Sequence, residues 1–284
     1  MFRLSLTTLV LSQFFLFIAG FALTPIDSID ELLYRSSLSS EILTDGASSS
    51  DDELRSLSLP YSTAGTVDLD QLAWCEDLIA QTFAVMPTEH VEAVHKLTLS
   101  FDPTVRRGSA GGNTMIIRCV NVEAAELVAI VIHELGHVVD TGLLHATSLG
   151  STSSFVDRGK VVYSSDPSVD LYSISWQDNR SFTEHDETQD FVSLYAMTNP
   201  YEEFADAYLM YVLHGPLFRF YGYRNDSLEE KYAFMRDVVF DGFEFDFAPE
   251  ELPTIVESND RVYDISQLDF VLESFLALWA LDSE

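Results

Sequence analysis

Basic residues are scarce in this sequence. It has 15 lysines and arginines against 46 aspartates and glutamates, which gives a formal net charge of -31 at pH 7. A surface of this sign repels phosphate backbones and anionic lipid headgroups, which argues against nucleic acids and anionic membranes as partners. The balance is typical of a highly soluble acidic exterior, and a preference for basic substrates is the alternative.

Long apolar runs are missing beyond the N-terminus, so no later segment is suited to crossing a bilayer. At the N-terminus, Arg3 precedes an apolar run over residues 9–18, and the small Ala22 follows that run. This arrangement predicts a signal peptide at residues 1–22 and a secreted, extracellular protein with no stable membrane insertion after cleavage. An uncleaved anchor is the alternative, although the run is short for a span.

Cysteine is limited to Cys75 and Cys119. The two are far apart and lack the spacing of a zinc ribbon, which argues against a cysteine metal site. In an exported protein an even pair predicts one disulfide bond, and two buried thiols are the alternative.

The composition changes along the chain. Residues 23–65 are rich in serine and acidic residues and have few large apolar side chains after Tyr34, which is typical of a flexible leader or pro-segment. Folded sequence is expected from about Thr66. We expect one folded domain over residues 66–250, and a C-terminal helical segment over residues 251–284 that packs on it.

The apolar spacing predicts both helices and strands. Residues 68–86 carry apolar side chains at helical spacing, whereas residues 95–102 alternate as a strand does. Residues 113–120 are a second candidate strand, entered through the glycine-rich stretch 107–113, which predicts a turn.

Residues 121–142 predict one long helix. Asn121 is a plausible N-cap, and Gly142 is a plausible C-terminal stop. The middle of this helix is apolar on nearly every face, so it should be buried. Three ionisable residues of the stretch HELGH nevertheless lie inside it, and buried charges without partners are costly.

The spacing of these residues indicates a metal site. His133 and His137 are four residues apart, so both imidazoles lie on one helix face and can share an ion. Glu134 lies beside that face, where a general base is needed, and Gly136 lets another segment come close. This is the H-E-x-x-H pattern of zinc hydrolases, and two ordinary core histidines are the alternative.

A catalytic zinc needs a third protein ligand and one open position. The pattern with a third histidine fails here, because Asp140 occupies its glycine position and Leu143 occupies its last histidine position. His145 lies off that spacing. A glutamate on a later helix is the other common third ligand.

The later stretch NPYEEFAD offers such a glutamate. Asn199 can cap a helix that begins at Pro200, and Glu202 and Asp206 then lie four residues apart on one face. The first carboxylate can bind the metal while the second fixes a ligand histidine through its other ring nitrogen. A capping box at Glu202 and a ligand role for Glu203 are the alternatives; the acidic residue four positions on favours Glu202.

The two motifs HELGHVVD (133–140) and YAMTNPYEEFADAY (195–208) resemble the zinc peptidases with a glutamate third ligand, the gluzincins. They are most similar to the family of the anthrax lethal factor catalytic domain, which has H-E-x-G-H-x-V-D, a tyrosine seven residues before the ligand glutamate and an acidic residue four after it. The likeness covers the two active-site helices and, loosely, residues 67–215. It implies one Zn²⁺ per chain held by His133, His137 and Glu202, with Glu134 as general base, Tyr195 as a transition-state donor and Asp206 as the support of a ligand histidine.

The resemblance implies an α+β, zincin-like metallopeptidase domain over residues 66–250, with a small sheet, an H-E-x-x-H helix, a glutamate helix and a C-terminal helical region. It implies a secreted endopeptidase that hydrolyses peptides or proteins with a zinc-activated water and Glu134 as base. An extended substrate is expected to pair with a strand edge near residues 113–118. A non-catalytic zinc-binding or interaction protein on the same fold is the alternative, as is a packed aromatic role for Tyr195. The oligomeric state stays open.

Overall fold

The computed structural model describes residues 57–146, 150–183, 188–245 and 261–281. The predicted signal peptide and most of the predicted leader lie outside these residues. Within them, helices and two small sheets give a mixed α+β architecture, which agrees with the predicted class. No helix in these ranges is long and apolar enough to cross a membrane.

One mixed sheet contains four short strands: β1 (Tyr61–Ala64), β2 (Lys96–Ser100), β3 (Gly108–Gly111) and β4 (Thr114–Arg118). Their spatial order is β1–β2–β4–β3, with β1, β2 and β4 parallel and β3 antiparallel to β4. Met115 and Ile117 alternate along β4 and are fully buried, so one face of the sheet packs on the core.

The sheet begins earlier in the chain than the sequence predicts. Strand β1 lies within residues 23–65, the predicted leader, and pairs with β2 over its whole length. The folded chain therefore starts by Tyr61 rather than near Thr66. The sequence YSTA does not alternate between apolar and polar residues, so it gives no sign of a strand. Backbone pairing with β2 along one side holds this edge strand in place.

The glycine-rich stretch 107–113 is mostly a strand rather than a turn. Only its end, at Gly111 and Gly112, takes the positive φ values of 148° and 55° that the reversal into β4 requires. Strand β4 consequently pairs on both sides, and the prediction that a peptide adds to its edge is wrong. Among the described residues, no strand pairs with the outer edge of β3.

Helix α1 (Leu69–Val85) is linked covalently to the end of the sheet. Asp68 caps the helix by accepting hydrogen bonds from two backbone N–H groups of its first turn. Cys75 in the helix and Cys119 after β4 form a disulfide bond, which confirms the predicted pairing. A short helix, α2 (Thr88–Glu92), leads from α1 towards β2.

Helix α3 (Ala124–Val138) carries the H-E-x-x-H residues and is buried as predicted, including every residue from 127 to 132. Its N-cap is Glu123 rather than Asn121, because Asn121 takes a left-handed conformation with a φ of 53° in the turn after β4. A π-helical turn, Val139–Leu143, follows directly, so the helical path runs through Gly142 instead of stopping there.

A hairpin and a short helix follow α3. Strands β5 (Thr152–Asp157) and β6 (Lys160–Tyr163) pair antiparallel around a turn in which Arg158 has a φ of 47°. The Arg158 guanidinium donates a hydrogen bond of 3.4 Å to the carbonyl of Ala110 in β3, so the tip of the hairpin contacts the sheet. Helix α4 (Ser168–Ser175) comes next.

Helix α5 (Pro200–Gly222) begins as the sequence predicts. The side chain of Asn199 accepts hydrogen bonds from two backbone N–H groups of the first turn, and Pro200 is the first helical residue. The helix kinks at His214, which has a φ of -134°, because Pro216 lacks an N–H donor and its ring crowds the carbonyl four residues earlier.

Two further helices complete the described fold. Helix α6 (Asp226–Phe234) packs against α5, and α7 (Leu272–Leu281) contacts α1. Helix α7 lies in the segment 251–284, for which the sequence predicts a packing helix, and its Phe275 is fully buried.

Glycines bring α3 close to its neighbours. A Cβ atom on Gly136 would lie 3.1 Å from the Ala205 Cα atom and 3.1 Å from the Tyr208 Cβ atom, both in α5. A Cβ atom on Gly142 would lie 2.4 Å from the carbonyl oxygen of Gly112. Contacts of 3.1 Å are tighter than most Cβ contacts, so glycine at 136 allows the two helices that carry the candidate site to pack closely.

Candidate metal centre

Two histidines of α3 point towards α5 from one face of the helix. His133 and His137 are one turn apart, and their ring centroids lie 4.9 Å from each other. Each side chain retains only about a tenth of its exposure, at 12% and 11%. The four-residue spacing therefore brings the two imidazoles together as the sequence predicts.

Glu202 completes a three-residue cluster from the first turn of α5. Its Oε2 atom lies 3.3 Å from the Nε2 atom of His133 and 3.2 Å from the Nε2 atom of His137. The candidate ligand atoms of all three residues lie within 4.8 Å of one another. His133, His137 and Glu202 are therefore close enough to bind a metal ion.

Two of the three distances between these atoms are compatible with a tetrahedral ion. Ligand atoms about 2.0–2.1 Å from a tetrahedral zinc ion lie about 3.3–3.4 Å from each other. The two distances from the Glu202 oxygen to the imidazole nitrogens, 3.3 and 3.2 Å, are close to this value. Two imidazole nitrogens and one carboxylate oxygen are also a donor set found in zinc enzymes.

The ionisation of the cluster reflects mutual attraction. Burial alone would raise the pKa of the Glu202 carboxyl, but the charges and hydrogen bonds of His137 and His133 outweigh it and hold that pKa below its ordinary value. Burial likewise disfavours the charged forms of both histidines, yet the facing carboxylates raise the pKa of each. The carboxylates thus favour positive charge at this position, and a bound metal ion would replace the protons of the two imidazole nitrogens.

Asp206 lies one turn after Glu202 and contacts the far side of His133. Its Oδ1 atom lies 2.9 Å from the Nδ1 atom of His133, and the hydroxyl of Ser193 donates a hydrogen bond to its Oδ2 atom. Asp206 and Ser193 are both fully buried. A carboxylate on Nδ1 fixes the orientation of the ring and leaves Nε2 to face the ligand position.

Glu134 is the buried acid beside the cluster. It is 6% exposed, and its Oε2 atom has no hydrogen-bond partner among the described residues. Burial raises the pKa of the Glu134 carboxyl, which the charges of His133 and His137 oppose. A buried carboxylate oxygen without a hydrogen-bond partner is costly, so this position calls for an explanation beyond packing.

Gly108 leaves the space that Glu134 occupies. A Cβ atom on Gly108 would lie 2.3 Å from the Glu134 Oε1 atom and 2.6 Å from its Cγ atom. The edge strand β3 therefore runs directly past the candidate base. The sequence signals glycine-rich backbone here, but it does not indicate this contact, because the contact joins separate elements.

Tyr195 approaches from the segment before α5. Its ring centroid lies 6.0 Å from that of His133, and its backbone N–H donates to the carbonyl oxygen of Tyr263 at 2.9 Å. Burial, together with the charges of Glu202 and Glu134, raises the pKa of the Tyr195 hydroxyl. The hydroxyl therefore keeps its proton at neutral pH and is available as a hydrogen-bond donor.

Glu203 faces away from this cluster. Its carboxylate is fully buried, lies 2.6 Å from the Nζ atom of Lys231, and accepts hydrogen bonds from Trp176 Nε1 at 2.6 Å and from the Ser175 hydroxyl at 3.2 Å. Glu203 thus forms an internal ion pair, and Glu202 is the glutamate that reaches the two histidines.

Asp140, the last residue of the motif HELGHVVD, is buried and bonded to another helix, which the sequence does not indicate. It is 1% exposed, and the hydroxyl of Tyr172 in α4 donates a hydrogen bond to it. Burial raises the pKa of the Asp140 carboxyl to about 7. Asp140 therefore joins the π-helical turn after α3 to α4 rather than facing Glu202.

No family model, no curated protein and no solved structure matches this chain. Its chemistry must therefore be inferred from the residues of the site.

Proposed function

We propose that this protein is an extracellular zinc-dependent endopeptidase of the gluzincin type. One observation carries the proposal: His133, His137 and Glu202 converge on one point, next to a buried oxygen of Glu134 that has no hydrogen-bond partner in the described part of the chain. Three protein ligands with an adjacent acid are the arrangement of a catalytic zinc site, whereas structural zinc sites have four protein ligands. The disulfide bond supports an oxidising, extracellular compartment.

A zinc ion bound to these ligands would polarise the scissile carbonyl and lower the pKa of a bound water. Glu134 accepts the proton of the attacking water and passes it to the leaving amine. This role suits a carboxyl whose pKa is raised by burial. Asp206 holds the His133 ring in the orientation that presents Nε2. The protonated hydroxyl of Tyr195 stabilises the developing oxyanion by donating a hydrogen bond.

The edge strand β3 is the proposed position of the substrate backbone. It passes Glu134 at Gly108, and its outer edge is unpaired within the described part of the chain. An extended peptide that adds to this edge would bring a peptide bond close to the candidate base. This assignment replaces the β4 edge, which pairs on both sides.

The first test is metal content, measured by mass spectrometry on the full secreted protein, purified without added metal and without a histidine tag. We expect about one zinc ion per chain. A folded sample that holds no zinc and takes none up from a zinc-buffered solution would rule out the proposal.

The second test separates an enzyme from a zinc-binding protein without activity. The wild type should cleave members of a peptide library, as read by mass spectrometry. Glu134→Gln should keep its zinc and lose cleavage, and Tyr195→Phe should keep its zinc and lose about 100-fold in kcat. If Glu134→Gln cleaves as fast as the wild type, Glu134 is not the base.

A further inference from the structure

Two consecutive arginines before β3 have different surroundings. The guanidinium of Arg107 donates to Glu126 at 2.8 Å and to the Ser266 hydroxyl at 3.2 Å, and it pairs with Asp264. The side chain of Arg106 is exposed and has no ion pair or hydrogen bond within the part of the chain that the structure describes. Arg107 thus stabilises the fold, whereas Arg106 has no partner among the described residues.

Arg106 is close in the chain to backbone that contacts the candidate base. It is two residues before Gly108, whose backbone contacts the Glu134 side chain. Burial raises the pKa of Glu134 and of Tyr195, and the positive charge of Arg106 opposes the shift at both residues. Arg106 and Tyr263 each adjoin, in the chain, one member of the Arg107–Asp264 ion pair, and this pair lies next to Gly108, which contacts Glu134, and to the segment that bonds Tyr195.

A C-terminal segment forms a wall at the same end of the site. The backbone N–H groups of Leu194 and Tyr195 donate to the carbonyl oxygens of Val262 and Tyr263, each at 2.9 Å. The rings of Tyr195 and Tyr263 lie 6.3 Å apart, and Tyr263 is 67% exposed. Because Asp264 binds Arg107, this segment is fixed to the chain that carries Arg106.

An arginine without a described partner, such as Arg106, is unexpected in so acidic a protein. With 15 basic against 46 acidic residues, an arginine near an acidic site has many carboxylates with which it could pair. Arginine presents a planar fork of donors that matches a carboxylate in a bidentate manner. The acidic exterior repels an acidic substrate. A cation near the reacting groups would offset this repulsion and favour binding of a substrate carboxylate at the site.

We propose that Arg106 is a specificity-determining residue that binds a carboxylate of the substrate beside Tyr263, so that peptides with an acidic group near the scissile bond are preferred. This inference rests on the peptidase function proposed above. The acidic side chain of a substrate residue and the free C-terminal carboxylate of a peptide share this chemistry, and the substrates below separate them.

The experiment uses the full, zinc-loaded protein and one parent peptide cleaved in the library screen, with its C-terminus amidated. Variants of this peptide carry Glu, Gln or Lys at each position flanking the cleaved bond. A second series of peptides has no acidic side chains. In this series the C-terminus is either free or amidated, and the number of residues between it and the cleaved bond increases. The readout is kcat/KM for the wild type, Arg106→Ala, Arg106→Glu and the charge-matched control Arg236→Ala, which removes an exposed arginine paired with Asp237.

The wild type should cleave the Glu peptide about tenfold better than the Gln peptide at one position, as expected for a charge-assisted hydrogen bond. Arg106→Ala should abolish this difference and leave the Gln peptide unchanged, and Arg106→Glu should favour the Lys peptide. Arg236→Ala should behave as the wild type. If the preference follows the free C-terminus instead, Arg106 binds the terminal carboxylate of the substrate.

Two other results would overturn the inference. If Arg106→Ala slows the Glu and Gln peptides equally and shifts the pH profile, Arg106 acts on Glu134 and not on the substrate. If the wild type cleaves peptides without regard to acidic groups, the specificity role is wrong while the peptidase function stands. If the wild type cleaves no peptide, the proposed function fails, and this inference fails with it.

Discussion

Glu202 and Glu203 are consecutive residues of α5, and their side chains enter two separate polar clusters. The Glu202 carboxylate lies 3.2 Å from His137, whereas the Glu203 carboxylate lies 2.6 Å from the fully buried Lys231. Neighbouring residues on a helix point in directions about 100° apart, so one residue faces α3 while the next faces α6.

This difference makes the two glutamates matched controls for each other. Glu202→Ala should lose zinc and the stability that zinc binding provides, so added zinc should raise the unfolding temperature of the wild type and leave that of the variant unchanged. Glu203→Ala should keep the zinc ligands but lose about 3–5 kcal/mol of stability, because Lys231 stays buried without the negative charge that balances it. Zinc content and chemical denaturation measure both effects. Zinc loss in Glu203→Ala alone would mean that the ligand assignment is wrong.

Asp206→Asn should weaken zinc binding while the three ligands remain. Asparagine cannot provide the negative charge that Asp206 places 2.9 Å from His133 Nδ1, and loss of such support typically lowers metal affinity about 10–100-fold. Competition with a chromophoric chelator measures the affinity. Ser193→Ala is the control, because it removes the hydroxyl bound to Asp206 and leaves the carboxylate on His133. Equal zinc affinity in the wild type and Asp206→Asn would show that Asp206 does not support zinc binding.

Gly108→Ala should impair activity by displacing the candidate base. The new Cβ atom would lie 2.3 Å from Glu134 Oε1 and 2.6 Å from its Cγ atom, so the whole Glu134 side chain must move. Displacement of the base by about 1 Å should lower kcat about 100-fold, with zinc retained.

Gly159→Ala provides the comparison for this glycine. Gly159 has a φ of 78°, and no atom lies within 4 Å of the position that a Cβ atom would take. Alanine there should cost about 1 kcal/mol through backbone strain and leave kcat unchanged. Similar activities for the two variants would show that β3 does not position Glu134.

His90 should make the fold sensitive to acid. Burial lowers the pKa of this imidazole to about 4, against a hydrogen bond from Nε2 to the Val239 carbonyl oxygen that raises it. The unfolded chain therefore binds a proton more readily than the folded chain between about pH 4 and pH 6.5, and stability falls as the pH drops through that window, by up to about 3 kcal/mol.

Chemical denaturation of His90→Gln at about pH 4.5 and pH 7 tests this linkage. The variant should be less stable than the wild type at neutral pH, where the hydrogen bonds to Tyr208 and Val239 are intact in the wild type, and the difference should shrink in acid. Replacement of the exposed His95 by Gln should leave the wild-type pH dependence unchanged. A constant difference between His90→Gln and the wild type at both pH values would show that His90 does not titrate on unfolding.

The sequence predicts elements best where the signal lies within a few neighbouring residues. Asn199 and Pro200 fix the start of α5, and the alternation of residues 95–102 identifies β2. Prediction from the sequence fails for strands that are stabilised mainly by pairing with other strands. Strand β1 has no apolar alternation and depends on backbone hydrogen bonds to β2, which is distant in the chain. Strand β3 is a glycine-rich edge that is held by its hairpin pairing with β4.

The sequence alone determined the local part of the candidate site. A four-residue spacing within one helix places His133 and His137 on one face whatever surrounds them, because helix geometry is set by bonds between near neighbours. Only the tertiary structure decided that Glu202 rather than Glu203 meets them, that Gly108 borders Glu134, and that Arg106 is left without a partner among the described residues. These relationships depend on the distances and angles at which separate elements pack, and no short stretch of sequence encodes them.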